Sequence, residues 1–443
     1  MLRQSIGIIL KKIEQAKQIL QENWRDGFTI PTSRLYPFQW MWDSGFVSMG
    51  TSEFNLKMSL TEIAKMFTGQ WDNGMLPHIL FHSEIEKTYF PNYDFWECWV
   101  NQGASLNPKT SGITQPPVYG FVLADILQKH WNKPDVKDFV RHIYPKLVHY
   151  HSFLYNYRDP HSEGLFYIFH PWESGRDNSP LWDESMDQIE IIPGSIPEYT
   201  RRDTSITDVN ERPTQQQYDR YVYLLELGKK YKYDGYQIAE ESPFLIQDNM
   251  MNAILIKSNE SLIQIASDLG LDAGQVAEWQ ALSMSNYDNK FWSDELNTYV
   301  GYDMRHEKQI KHREIGGYVP MFAGIPDKNK ATKLNDYLQS LSARGYYLVP
   351  SFDVDSPLFD SRRYWRGPIW PQMNWMIYKG LKNYAFDDTA KVVKDDLIHL
   401  IENLGFHEYF EAQKVVADGL TKGYGGNNFS WTASSYIHLC SVD

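Results

Sequence analysis

Cysteine is nearly missing from this 443-residue chain. Cys98 and Cys440 are too few for a disulfide framework, and their pairing cannot be read from sequence. A reducing compartment is the simplest setting for such a chain. Basic charge is short as well. Lys and Arg number 43 against 56 Asp and Glu, a formal net charge of −13. With no long basic run, the chain lacks the footprint of a nucleic-acid-binding protein and the polybasic segment that holds a protein to anionic lipid. It has no stretch of about 18 apolar residues, the length a membrane helix needs. At the N-terminus, Ile6, Ile9, Leu10, Ile13 and Leu20 fall at helical spacing. That apolar run stops at Lys11 and Lys12, too soon for a signal-peptide core. A soluble, cytoplasmic protein is expected. The chain shows no βαβ alternation, which excludes a doubly wound sheet or a barrel of strands. It contains no Pro/Gly/Ser linker and no low-complexity segment, so one domain covering 1–443 is the economical reading. No His/Cys/Asp cluster has zinc spacing; no metal and no cofactor are expected.

Aromatic residues are abundant, at 15 % of the chain with 15 Trp and 29 Tyr. They suit a packed interior, or a pocket whose flat rings stack on the C–H faces of a sugar. Hydrophobic residues reach 42 %, enough to bury a sizeable core. Helical periodicity recurs over 2–24, 134–157, 218–231, 244–269, 273–291, 328–343 and 389–403, while strand signals are short, as at 298–302 and 346–349. The segments between are not polar filler. Pro31–Gly45, Pro77–Trp99, Gly112–Gly120, His170–Asp183, Tyr364–Trp375 and Gly419–Trp431 are dense in Trp, Tyr, Pro, Gly and charged groups. In a ring of helices such loops gather at one end and wall a pocket.

The chemistry is carried by carboxylates. His170–Asp183 reads HPWESGRDNSPLWD, and with the adjacent Glu184 it brings Glu173, Asp177 and Asp183 beside two tryptophans in a turn-rich backbone. A carboxyl held against apolar rings resists ionisation, as a general acid near neutral pH must. Far away in sequence, GFHEYFE at 405–411 precedes a glycine-rich loop and offers Glu408, with Glu411 as its competitor. One acid and one carboxylate base or nucleophile are what glycosidic hydrolysis requires.

PTSRLYPFQWMWDSG at 31–45, GITQPPV at 112–118, HPWESGRDNSPLWD at 170–183, YWRGPIWPQMNW at 364–375 and NNFSWTAS at 427–434 together resemble glycoside hydrolase family 63, in that family's order and over nearly the whole chain. The resemblance implies an all-α (α/α)6 toroid and hydrolysis of α-glycosidic bonds with inversion. It also implies Asp177 as general acid and Glu408 as general base. The chain lacks the extra domains of glycoprotein-trimming glucosidases and is similar to bacterial mannosylglycerate and glucosylglycerate hydrolases. That similarity implies Arg212 and Tyr218 as holders of the glycerate carboxylate. Further pocket positions are Tyr36, Trp40, Trp42, Asp43, His78, Tyr89, Gln115, Trp172, Tyr364, Trp365 and Trp370. Loops over approximately 65–120 and 180–215 are expected to form a lid.

The expected partner is a small charged glycoside, with neither nucleic acid nor membrane; room remains for a homo-oligomer. The alternatives are an α-glucosidase for neutral disaccharides and a non-catalytic sugar-binding protein. A sugar epimerase on a similar toroid would rest on histidines rather than carboxylates. Trehalases share the architecture, and trehalose is the weaker reading.

Overall fold

The computed structural model describes residues 2–33, 35–82, 89–416 and 421–441. Residues 83–88 of the expected first lid loop and residues 419–420 of the glycine-rich loop lie outside the described residues.

The architecture is two concentric rings of helices. Six inner segments run Met41–Ser52, Tyr119–Lys129, Asn249–Leu269, Ile315–Met321, Pro371–Asn383 and Ser430–Ser441. Each packs on the next in that order, and the last packs on the first, which closes the ring. Ile315–Met321 is a 3₁₀ segment rather than an α-helix. The outer ring is formed by Leu2–Asn23, Leu56–Met66, Pro134–Tyr157, Gly274–Phe291, Lys328–Ala343 and Asp387–Leu404. Outer and inner segments alternate along the chain, the (α/α)6 pattern.

The two rings differ in sequence because they differ in surroundings. Outer helices such as Asp387–Leu404 bury one stripe (Ala390, Val393, Leu397, Leu400, Ile401) and present charge to solvent. Inner helices are covered on every side, and every residue of Met41–Ser52 is buried. Small residues let the inner helices close up. A Cβ on Gly50 would fall 2.2 Å from Ser434 Oγ, and one on Gly120 would fall 2.1 Å from Ser258 Oγ. These are clashes of one inner helix with another, so glycine sets the spacing of the ring.

Strands are short and antiparallel, in sheets of two or three, and lie in the loops. Thr298–Tyr299 and Gly301–Asp303 are strands as expected. Residues 346–349 are not one; only an isolated bridge joins Tyr346 to Gln413, because the hydrophobic run there packs into the core instead of pairing along an edge. Cys98 and Cys440 form no disulfide. Among the described residues, no helix is long and apolar enough to cross a membrane.

Candidate active site

A cavity enclosing about 960 Å³ of space free of protein atoms, part of it open to solvent, lies against the starts of the inner segments. Trp42 and Asp43 come from the first turn of Met41–Ser52 and Gln115 from the residues leading into Tyr119–Lys129. Tyr364 and Trp365 precede Pro371–Asn383, while Phe429 and Trp431 flank the start of Ser430–Ser441. Inner helices therefore direct their N-terminal ends at this cavity, where their backbone dipoles favour negative charge.

Asp177 is placed by its neighbours in HPWESGRDNSPLWD. Arg176, fully buried, donates to Asp248 at 2.6 Å and to Glu314. Those two acids cap Asn249–Leu269 and Ile315–Met321, so the acid loop is stapled to two inner segments. Gly175 takes φ 68°, and a Cβ there would meet the Trp42 ring at 2.6 Å; only glycine serves this turn. Asn178 Oδ1 accepts from Trp365 N–H at 3.1 Å, and Arg366 reaches Asn178 O and both oxygens of Asp183.

The four acids of the segment thereby separate. Glu173 is buried in an ion pair with Arg158 at 3.0 Å. Asp183 holds Arg366, and the exposed Glu184 pairs with Lys308. Asp177 alone of the four lines the cavity. Burial raises its carboxyl to about 7; Arg212 pulls it down and Glu408 pushes it up.

Glu408 lies on the strand His407–Phe410, where the register against Gly423–Asn427 shifts between His407 and Tyr409. A bulge of this kind re-aims a side chain, and Glu408 points into the cavity. Its Oε2 accepts from Gly426 N–H at 2.9 Å, and its Oε1 accepts from the Tyr36 hydroxyl at 3.1 Å. Gly425 at φ 69° leaves no space for a Cβ, which would stand 2.2 Å from Glu408 Oε2. Burial raises the Glu408 carboxyl, against the pull of Arg212. Glu411 does not line the cavity. It is buried with the Tyr424 hydroxyl at 3.1 Å and its own loop's Gln413 N–H at 3.0 Å.

Arg212 follows a short 3₁₀ turn, Val209–Glu211, and precedes Gln215–Lys230, whose Thr214–Gln217 capping box starts the helix just before Tyr218. Both Arg212 and Tyr218 therefore face one cavity. Arg212 is 5 % exposed. Its Nη2 donates to Tyr36 at 3.0 Å, its Nε to Asp203 at 3.3 Å, and its guanidinium carbon sits 4.3 Å above the Tyr364 ring. Its Nη1 is buried with no partner among the described residues. Tyr364 adopts φ 43°, a strained backbone of the kind that collects at functional sites.

The remaining expected positions divide in two. Trp40, Tyr89, His78 and Trp172 line the cavity. His78 hydrogen-bonds Ser111 at 2.6 Å, and burial drives it well below its ordinary range, so it is neutral. Asp43 is buried, and desolvation raises its carboxyl well above normal. Trp370 is not at the surface of the cavity. It is fully buried behind Trp365, stacked on it at 3.7 Å and 5°, because it caps Pro371–Asn383 and its ring must turn into the core. Residues that the sequence reading missed are Phe90, Pro91, Arg202, Asp203, Phe429 and Trp431. The pair Arg202–Asp203 carried a signal, charge of both signs in the segment leading to Arg212; the aromatics carried none beyond abundance.

Two separate segments meet beside the cavity. Phe90 stacks on Tyr199 at 4.9 Å, and Tyr199 stacks on Tyr218 at 5.6 Å. Gln70, Trp71 and Asp72 run together as QWD. None of the three lines the cavity; Trp71 is buried with its indole N–H on Thr110, and Gln70 holds two backbone carbonyls.

Residues 36–432 match the family model described as mannosylglycerate hydrolase MGH1-like glycoside hydrolase domain. The chain is 38 % identical over 422 residues to a mannosylglycerate hydrolase of Thermus thermophilus, covering 95 % of this chain and 98 % of that protein. It is 28 % identical over 447 residues to a glucosylglycerate hydrolase of Mycolicibacterium hassiacum, with 96 % of each covered. A crystal structure of a Thermus thermophilus family 63 mannosylglycerate hydrolase in complex with Tris and D-glycerate superposes with a TM-score of 0.91 at 36 % identity, over 97 % of this chain and all of that one.

Proposed function

The chain belongs to the MGH1-like glycoside hydrolases of family 63, and from that premise we propose that it hydrolyses an α-glycoside of glycerate, mannosylglycerate or glucosylglycerate, with inversion. Asp177 is the general acid and Glu408 the general base. The observation that carries the substrate assignment is Arg212, a buried guanidinium on the wall of the cavity that holds both carboxyls, with Nη1 left without a partner among the described residues. A carboxylate aglycone fits that donor, and a charged hydrogen bond in a desolvated site is worth about 1.5–3 kcal/mol.

Asp177, held near neutral pH in its protonated form, gives its proton to the glycosidic oxygen as the bond to the anomeric carbon breaks. Glu408, ionised, takes a proton from a water that attacks from the opposite face. The glycerate hydroxyl leaves and the sugar departs as the β-anomer. The Glu408 charge raises the Asp177 carboxyl, so an ionised base helps the acid keep its proton. Asp43 and the rings of Trp42, Trp172 and Trp365 bind the hexose. The loops over 65–120 and 180–215 act as the lid, a role supported by the Phe90–Tyr199–Tyr218 stack between them. Two cysteines that form no disulfide suit a cytoplasmic setting.

Arg212→Ala tests the substrate class. Expected is a loss of roughly ten- to several-hundredfold in kcat/KM on a glycerate glycoside, with a far smaller loss on an aryl glycoside lacking a carboxylate. Equal losses on both would make Arg212 structural and leave a neutral disaccharide as the better substrate.

A further inference from the structure

The ring of Tyr36 is held edge-on by Trp40 and Phe429, with centroids 5.2 and 6.0 Å away. Its hydroxyl meets three polar groups. Arg212 Nη2 donates to it at 3.0 Å, it donates to Glu408 Oε1 at 3.1 Å, and the Tyr364 hydroxyl lies 3.4 Å off. A guanidinium only donates and a phenol has one proton. The chain therefore runs one way, from Arg212 through Tyr36 to Glu408. The second oxygen of Glu408 rests on the Gly426 N–H. One oxygen of the base is thus fixed by backbone, and the other by a side chain that itself answers to Arg212.

We propose that Tyr36 is a positioning residue that couples occupation of Arg212 by an anionic aglycone to the orientation and basicity of Glu408. This rests on the reading of Arg212 as carboxylate receptor and Glu408 as base. With the cavity empty, the full charge of Arg212 polarises the Tyr36 hydroxyl and strengthens its hold on the Glu408 carboxylate. A carboxylate on Nη1 neutralises that charge, the hold relaxes, and Glu408 is the stronger base when substrate is in place. The other ionisable groups acting on Glu408 are Tyr364, Tyr409, Glu211, Asp43 and Asp177. The two tyrosines are neutral and the rest are acids, so Arg212 supplies the positive charge in this set. The charge of the correct substrate thereby serves catalysis as well as recognition.

Tyr36→Phe keeps the ring contacts and deletes the relay. Expected is a fall in kcat of about 10- to 100-fold with KM little changed. The acidic limb of the kcat–pH profile should move to higher pH, because the Glu408 carboxylate loses a donor. In the wild type, that limb should lie at higher pH with the glycerate glycoside than with the matching glycerol glycoside, and Tyr36→Phe should narrow the gap. A rise in KM with kcat and the limb unmoved would make Tyr36 a simple substrate contact and overturn the proposal, as would an unchanged gap. Should Tyr36→Phe fail to fold, 3-fluorotyrosine in place of Tyr36 is a stronger donor of nearly the same shape. It should shift the limb to lower pH, and no shift overturns the coupling. If wild-type enzyme leaves the glycerate glycoside intact, the substrate reading fails by itself. The Tyr36→Phe limb shift is then measured on whichever α-glycoside is hydrolysed, and its absence sinks the Tyr36 assignment separately.

Discussion

Asp177 and Asp183 stand six residues apart in one acidic segment, and only their partners distinguish them. Asp183 receives both nitrogens of Arg366, whereas Asp177 meets the cavity, where burial holds its carboxyl near 7. Composition could show that the segment was acidic and aromatic, but not which acid was paired. Ion pairs over 100 residues long in sequence, such as Arg366 with Asp183, leave no local trace. Motif order singled out Asp177 and Glu408 where residue chemistry alone left Glu173, Asp183 and Glu411 open. The same limit explains Trp370: at the cap of an inner helix a tryptophan looks like a wall of the cavity, and the 3.7 Å stack behind Trp365 is a tertiary fact. At this scale, Asp177→Asn and Glu408→Gln should each lower kcat by about 10²–10⁴-fold while binding of substrate, measured by calorimetry, stays near wild type. Wild-type turnover in either variant would remove that residue from the catalytic pair.

All the outer helices except Leu56–Met66 were legible, and of the inner ones only Asn249–Leu269 was. Pro134–Tyr157, Gly274–Phe291 and Lys328–Ala343 each alternate a core stripe with a solvent face, so their periodicity located them to within a residue or two. Met41–Ser52, Pro371–Asn383 and Ser430–Ser441 are buried nearly all round. With no solvent face, Met41–Ser52 and Ser430–Ser441 have no amphipathic period to read, and their Gly, Ser and Thr content argues against helix locally. The expected loops 31–45, 364–375 and 419–431 each run into one of these hidden helices. The link between elements is open to test at Arg176, which joins the acid loop to two inner segments. Arg176→Met leaves Asp248 and Glu314 buried without their cation. Breaking a buried pair in this way costs about 3–5 kcal/mol, so the urea midpoint should fall markedly, and activity should fall with it as Asp177 loses its anchor. A midpoint equal to wild type would show that the staple is not what positions the loop.

Across the whole molecule, a closed ring of helices provides a rigid floor, and loops from distant parts of the chain converge on it. The cavity draws on residues from Pro31 to Trp431. Burying two acids at the floor carries a stability cost that depends on pH. The Asp177 carboxyl is raised to about 7, above its ordinary value of about 3.9. The folded chain therefore retains that proton while the unfolded chain releases it. The group's contribution is full below about pH 4 and is lost as pH rises through 7. Asp177→Asn, which cannot ionise, should match wild type at pH 4 and exceed it in Tm by roughly 2 °C or more above pH 7. A constant Tm difference across that range would mean that Asp177 titrates normally. Aromatic abundance and the acidic balance announced the kind of cavity, while its closure over Arg212 came only from the fold.

The central claim is inverting hydrolysis of a charged α-glycoside by this cavity. It is tested most directly by following wild-type enzyme with α-mannosylglycerate and α-glucosylglycerate by proton NMR from the first turnovers. The account predicts glycerate release with the β-hexose signal appearing first and the α signal growing only at the rate of mutarotation. An α-anomer formed first, or neither glycoside cleaved, would contradict it.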